Sequence, residues 1–323
     1  MLSRKKILSL FIKISVGLGS FAIVYLRLKN DFSHDKLQLI YFTVFSPIGL
    51  LCFLFCLLLI PLNWGIEAYK WKLITAPIQW VSFRTASKSV YSGVFLGNLA
   101  PGRATEFLAR IIFFKIENRP KITVLHFVGG MFQLSVTIVF GFVALLYKLK
   151  DFSGDTYWMP YAVSLSGVIL LLLLLLSIYK INFILNYISK KVSKDQEVLD
   201  FDYKFKPTAL LQLFGFSVIR YSVFFLQFFL LLFLFDRHVG INVYPAIALY
   251  FLITTTIPMI SILEAAIRTA VALIVFKNTG VANAPLALSS IMIWLLNIIL
   301  PSIVGYYFLV RQNFNFKIRN SKK

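Results

Sequence analysis

Two Glu-x-x-x-Arg pairs, Glu106 with Arg110 and Glu264 with Arg268, each sit inside an otherwise apolar stretch. A proline precedes each pair by a few residues, in Pro101-Gly102-Arg103-Ala-Thr-Glu106 and in Pro258-Met-Ile-Ser-Ile-Leu-Glu264. Proline suits the first turn of a new helix, where its missing N–H is no loss. Glu and Arg at i,i+4 share a helix face and can pair. On a soluble helix such a pair is commonplace. At the centre of a membrane a charged residue costs around 2.5–3.5 kcal/mol on insertion scales. Arg103, Glu106, Arg110, Glu264 and Arg268 therefore point to a polar cavity used in transport, with pinning of half-helices to their neighbours as the structural alternative. Arg220 and Tyr221 lie deep in another apolar run and can face the same cavity. Glu67, Tyr69 and Lys70 lie at the end of a run, where basic and aromatic interface anchors are also normal.

Arginine forks and half-helix N-termini both favour anionic oxygens, above all phosphate. A cationic substrate would want carboxylates in excess, and this set holds more arginines than glutamates. A phosphate-bearing lipid headgroup fits that charge and lets the tails stay in the bilayer; a small soluble anion fits it equally. Asn98, Pro101 and Gly102 mark the first break in the apolar pattern, and Thr256 and Pro258 the second, as hinge positions. Nothing points to a cofactor or metal. His34, His126 and His238 are scattered, and Cys52 and Cys56 are i,i+4 in one apolar run, as core thiols are. There is no Gly-x-x-x-x-Gly-Lys-Ser/Thr loop, so an ion gradient, a concentration gradient or a partner must supply energy.

The elements that position these residues follow from composition. Hydrophobic residues make up 59% of the 323, which leaves lipid as the solvent. The net charge of +20 does not indicate nucleic acid, because the basic residues fall in short loops between apolar runs. Six runs, about 7–26, 38–62, 122–147, 158–179, 208–235 and 286–310, are long enough to span. Two further apolar regions, about 87–115 and 243–277, are interrupted at the breaks, and both read as re-entrant helical hairpins. The halves of the second are longer, so two full spans are the alternative there.

With the N-terminus inside, the inner segments hold roughly 21 Lys and Arg and the outer ones roughly 7. The expectation is a cell (inner) membrane protein with both termini cytoplasmic. The order span, span, hairpin, span then occurs twice in opposite directions, an inverted repeat of the kind secondary transporters use. The fold class is thus an all-α integral membrane protein of six spans and two broken hairpins. Residues 1–150 form the first repeat, 151–179 the opening span of the second, 180–206 a cytoplasmic linker and 207–323 the remainder.

The stretch Asn98-Leu-Ala-Pro101-Gly102-Arg103-Ala-Thr-Glu106-Phe-Leu-Ala-Arg110 resembles the Pro-Gly-Arg-Ala-Gly-Glu motif of the lysylphosphatidylglycerol synthase transmembrane-region, or flippase-like domain, family. Ile257-Pro258 through Glu264 to Arg268 is similar to that family's second motif, with Thr105 and Met259-Ile-Ser-Ile-Leu263 standing where glycines are usual. The resemblance implies translocation of phospholipids or lipid-linked sugars. With only about a dozen residues after the last span, no soluble synthase domain is expected, so lysyl transfer would need a separate membrane synthase partner.

The leading expectation is a flippase-like transporter of an anionic phospholipid or lipid-linked sugar, working by alternating access. Arg103 and Arg110 would receive the headgroup from the cytoplasmic side and Arg268 from the outer side, while Glu106 and Glu264 hold the arginines and are candidates to exchange protons. The alternatives are an intramembrane lipid-modifying transferase with the two glutamates as acid and base, and a non-transporting subunit of a lipid-synthesis complex. The oligomeric state is not legible in these residues.

Overall fold

The computed structural model describes residues 19–29, 34–100, 103–153, 158–183, 205–257 and 263–312. All regular structure among them is helical. Four stretches, Pro47–Thr75, Ile116–Lys148, Pro207–Phe235 and Asn283–Val310, are long and apolar enough to cross a bilayer. In chain order the helices are α1 (Gly19–Leu28), α2 (His34–Val44), α3 (Pro47–Thr75), α4 (Phe83–Asn98), α5 (Glu106–Ile111), α6 (Arg119–Ser153), α7 (Trp158–Tyr179), α8 (Pro207–Phe235), α9 (Val243–Thr256), α10 (Glu264–Val275), α11 (Asn283–Trp294) and α12 (Leu300–Val310). One π-helical turn, Leu295–Ile299, joins the last two.

Local signals explain where the boundaries differ from the apolar runs. The run 38–62 is two helices: Ser46 caps α3 by accepting from the Gly49 N–H at 3.1 Å, and Pro47 fills the first turn. Arg237, just past α8, donates to Ser46 Oγ at 2.9 Å and to the Thr43 carbonyl at 3.2 Å, which fixes the corner. Helix α3 then continues well beyond residue 62 and stops at Thr75, two residues before Pro77. Helix α4 starts earlier than its apolar run because Ser82 caps it, accepting from the Thr85 N–H at 3.2 Å. Of the first apolar run only α1 lies within the described residues, and most of the 180–206 linker lies outside them.

Both interrupted regions are pairs of short helices. At 1.5 Å per residue, α4, α9 and α10 with 16, 14 and 12 residues reach about 24, 21 and 18 Å, less than the roughly 30 Å of hydrocarbon. Neither half of the second region is long enough to span by itself. In the first region Gln79 Oε1 accepts from the Lys115 N–H at 3.0 Å and from Asn118 Nδ2 at 3.1 Å. The residues before α4 are thereby bound to those after α5, so the two ends of this segment lie side by side.

The short helices dock across the molecule. Helix α4 packs on α12, α9 on α6, and α3 on α8. Small residues make the first two contacts: a Cβ at Gly305 would lie 1.9 Å from the Tyr91 carbonyl oxygen, and one at Gly141 2.4 Å from Leu252 Cβ. Close approach through small residues is the usual source of helix affinity in lipid, where burial of apolar surface supplies little.

Candidate functional site

Helix α3 carries Trp64, Glu67, Lys70 and Trp71 at helical spacing, so one of its faces presents two rings and two charges inward. Trp71 Nε1 donates to Ser89 Oγ on α4 at 2.9 Å, and that hydroxyl donates to the Arg110 carbonyl at 2.9 Å. Helix α5 lies directly on α4 because α4 is glycine there. A Cβ at Gly93 would come 2.7 Å from Arg110 Cγ, and one at Gly97 3.0 Å from Glu106 Cβ.

The result is an ionic network between elements. Arg110 Nη2 lies 2.6 Å from Glu106 Oε1 and 3.0 Å from Glu67 Oε1, and its guanidinium stacks 5.2 Å from the Trp71 ring. The second oxygen of Glu67 lies 3.4 Å from Arg220 Nη1 on α8 and 3.6 Å from Lys70 Nζ. Gln133 on α6 offers one oxygen to both cations, 3.3 Å from Lys70 Nζ and 3.4 Å from Arg220 Nη1. Arg220 is held between the Trp64 and Phe224 rings, 5.2 Å from each centroid. Arg103 is less tightly held, 3.9 Å from Glu106, with 37% of its side chain exposed. It sits at φ 57°, in the left-handed region, where a side chain costs about 1 kcal/mol or more. The second break has a simpler pair: Arg268 Nε and Nη2 donate to Glu264 Oε1 at 2.9 and 2.8 Å.

Part of this network borders a cavity of about 480 Å³. Arg103 beside the first break, Thr256, Glu264 and Arg268 beside the second, and Arg220 from α8 all line it, with Gln133, Trp64 and Trp294. Arg220 Nε, Trp64 Nε1, Trp294 Nε1 and Tyr221 Oη have no hydrogen-bond partner among the described residues. Arginine and tryptophan only donate, so this wall suits a ligand rich in acceptor oxygens. Asn297 of the π-turn also lines the cavity. It accepts from Asn63 Nδ2 at 3.2 Å and donates to Gln227 Oε1 at 2.7 Å, joining α3, α8 and the last span.

The predicted residues divide by place. Glu106 and Arg110 do not line the cavity; both are buried behind its wall, with Arg110 only 5% exposed. Their position fits a supporting role better than direct receipt of a headgroup at Arg110. Asn98 does not line the cavity, and its Oδ1 is buried without a partner among the described residues. Pro101, Gly102 and Pro258 lie outside the described residues. Sequence reasoning left Glu67 and Lys70 at an interface and did not single out Gln133 or Asn297. The signal for the first two was the 3–4 spacing of Asn63, Trp64, Glu67, Lys70 and Trp71, visible once the helix is carried on to Pro77. For Gln133 it was a lone amide in an apolar run.

The family model for the Lysylphosphatidylglycerol synthase TM region matches residues 12–305 of the 323-residue chain. The chain belongs to that family. A match of this extent takes in both breaks, the whole ionic network and every helix from α1 to α11. Family membership and the long apolar helices together make it a multi-pass membrane protein. No curated protein matches the chain. In this member of the Lysylphosphatidylglycerol synthase TM region family, the second Glu-x-x-x-Arg pair lines the cavity, whereas the first lies behind it and is linked to it through Arg103, 3.9 Å from Glu106.

Proposed function

We propose that the protein is a flippase-like transporter that moves an anionic, phosphate-bearing lipid or lipid-linked sugar by alternating access. The observation that carries this reading is the single cavity that draws Arg103 from one break and Glu264 and Arg268 from the other. Buried charge is expensive in a membrane and needs a use, and a wall with three arginines to one glutamate is matched to phosphate oxygens. Arg103 receives the headgroup from the cytoplasmic side, Arg268 engages it from the outer side, and Glu106 and Glu264 hold arginines in place.

In this reading residues 1–150 and 151–323 are inverted repeats, giving six spans and two re-entrant hairpins. The packing supports it. Exchanging α3 with α8, α4 with α9, and α6 with α11–α12 turns the α4–α12 contact into the α9–α6 contact and leaves α3–α8 unchanged. Gly305 and Gly141 then occupy matching crossings. The basic-residue bias supports an orientation with both termini cytoplasmic, even with Lys70 removed from the count as a buried network member.

The test is translocation of fluorescent phospholipids and lipid-linked sugars in proteoliposomes, comparing wild type with Arg103→Ala. Arg103-dependent flux is expected. A folded wild-type protein that moves none of a broad panel, or that releases a covalently altered lipid, overturns the reading.

A further inference from the structure

The charges of the network do not balance, and the imbalance lies at the cavity. Five cations, Lys70, Arg103, Arg110, Arg220 and Arg268, face three carboxylates, Glu67, Glu106 and Glu264. The closest pairs settle most of the account. Glu106 is 2.6 Å from Arg110, and Glu264 is 2.8 Å from Arg268. Glu67 is divided among Arg110, Arg220 and Lys70 at 3.0, 3.4 and 3.6 Å. Arg103 has a carboxylate only at 3.9 Å, one already committed to Arg110. Two positive charges are left over; the most loosely paired cations are Arg103, Lys70 and Arg220, at 3.9, 3.6 and 3.4 Å, and of these Arg103 and Arg220 line the cavity. Arg220 is also nine-tenths buried with an unpartnered Nε.

Gln133 keeps the surplus at two. Its oxygen sits where a carboxylate oxygen would complete an ion pair with both Lys70 and Arg220, yet an amide brings a dipole and no charge. Its Nε2 donates to the Ser217 carbonyl at 3.4 Å, which turns the oxygen towards the cations.

We propose that this cavity selects a phosphate group carrying two negative charges, a diphosphate or a phosphomonoester, over a singly charged phosphodiester, and that Gln133 is the residue that sets this preference. The proposal rests on the transport reading of the same site and narrows its substrate class. An unpaired charge is unfavourable in proportion to its burial, so Arg220, nine-tenths buried, gains most from an anion and the partly exposed Arg103 less. A dianion neutralises both surplus charges, whereas a phosphodiester leaves one. The phosphate can belong to a lipid or to a soluble molecule; the shared chemistry is the dianion.

The experiment is binding in detergent, read through Trp64 and Trp294 fluorescence, with phosphatidic acid and phosphatidylglycerol of matched chains at pH 7. Wild type is expected to favour the phosphomonoester lipid by roughly tenfold or more, about the effect of one better-compensated charge. Gln133→Glu supplies the missing carboxylate and is expected to cut that ratio by roughly tenfold. The variant also gives up the Gln133 Nε2 bond to the Ser217 carbonyl, so its melting temperature without ligand is read first to establish that it is folded. Inorganic phosphate that displaces the lipid, with the same sensitivity to Gln133→Glu, assigns the dianion to a soluble source. Failure of inorganic phosphate to compete assigns it to a lipid. Equal wild-type affinity for the two lipids, or a ratio unchanged in folded Gln133→Glu, overturns the proposal. Because binding is measured without flux, that outcome leaves the transport reading standing, and absent flux with intact dianion preference does the reverse.

Discussion

Glu67 Oε2 on α3 lies 3.4 Å from Arg220 Nη1 on α8, and this ion pair ties the first half of the chain to the second across the cavity wall. Glu67 also holds Arg110 at 3.0 Å, so one carboxylate joins the first hairpin, α3 and α8. Any movement of one half against the other has to stretch or re-form these bonds.

Removing that carboxylate strands its partners. Glu67→Gln is expected to destabilise the folded protein by about 3–5 kcal/mol, since a buried pair broken from one side leaves an uncompensated charge. Reversible unfolding in mixed micelles measures this. A double-mutant cycle with Arg220→Gln should show clear coupling, and additive losses would mean that the pair is not formed.

Arg103 separates ligand binding from backbone strain. Arg103→Ala and Arg103→Gly should both abolish lipid flux, because both remove the loosely held guanidinium from the cavity. Glycine has no penalty at φ 57°, so Arg103→Gly should be the more stable of the two by about 1 kcal/mol. Flux that survives in either folded variant removes Arg103 from the site.

Arg268→Ala should also abolish flux while leaving membrane insertion intact. Its partner Glu264 is then left without the cation that holds both its hydrogen bonds. Surface labelling of the inserted protein and a flux assay on the same preparation check the two halves of this statement.

The α4–α12 crossing depends on the absence of a side chain. Gly305→Ala drives a methyl into the Tyr91 carbonyl oxygen, which a rigid backbone has no rotamer to avoid. A loss of about 1–3 kcal/mol or more is expected from overpacking, with lower melting temperature in detergent. A variant as stable as wild type would show that the two helices are not in contact.

Asn297→Leu tests the amide relay. It leaves Gln227 Oε1 and Asn63 Nδ2 buried without their partner, at a cost of about 1–3 kcal/mol each for an unmet polar group. Thermal unfolding reads the loss, and a double variant with Asn63→Leu should recover part of it.

The sequence alone determined the solvent, the class of fold and the breaks. Apolar runs of about 20 residues leave a chain no medium but lipid, and lipid leaves its backbone no structure but helix or closed barrel. Asn98 to Arg103 and Thr254 to Pro258 marked the two interruptions because no uniform helix carries such residues through a membrane. The pairs Glu106–Arg110 and Glu264–Arg268 were legible because i,i+4 spacing is a local rule. What only the tertiary structure decided is which charge meets which across the chain. Glu67 lies 43 residues from Arg110, and Gln133 lies 87 from Arg220; no periodicity encodes such distances. Helix α3 outran its apolar run because its inward face is polar where it meets α5, α6 and α8, and a pattern of hydrophobicity reads that face as a loop. The division of arginines into those at the cavity and those behind its wall was decided the same way, by how closely the glycines of α4 let α5 approach.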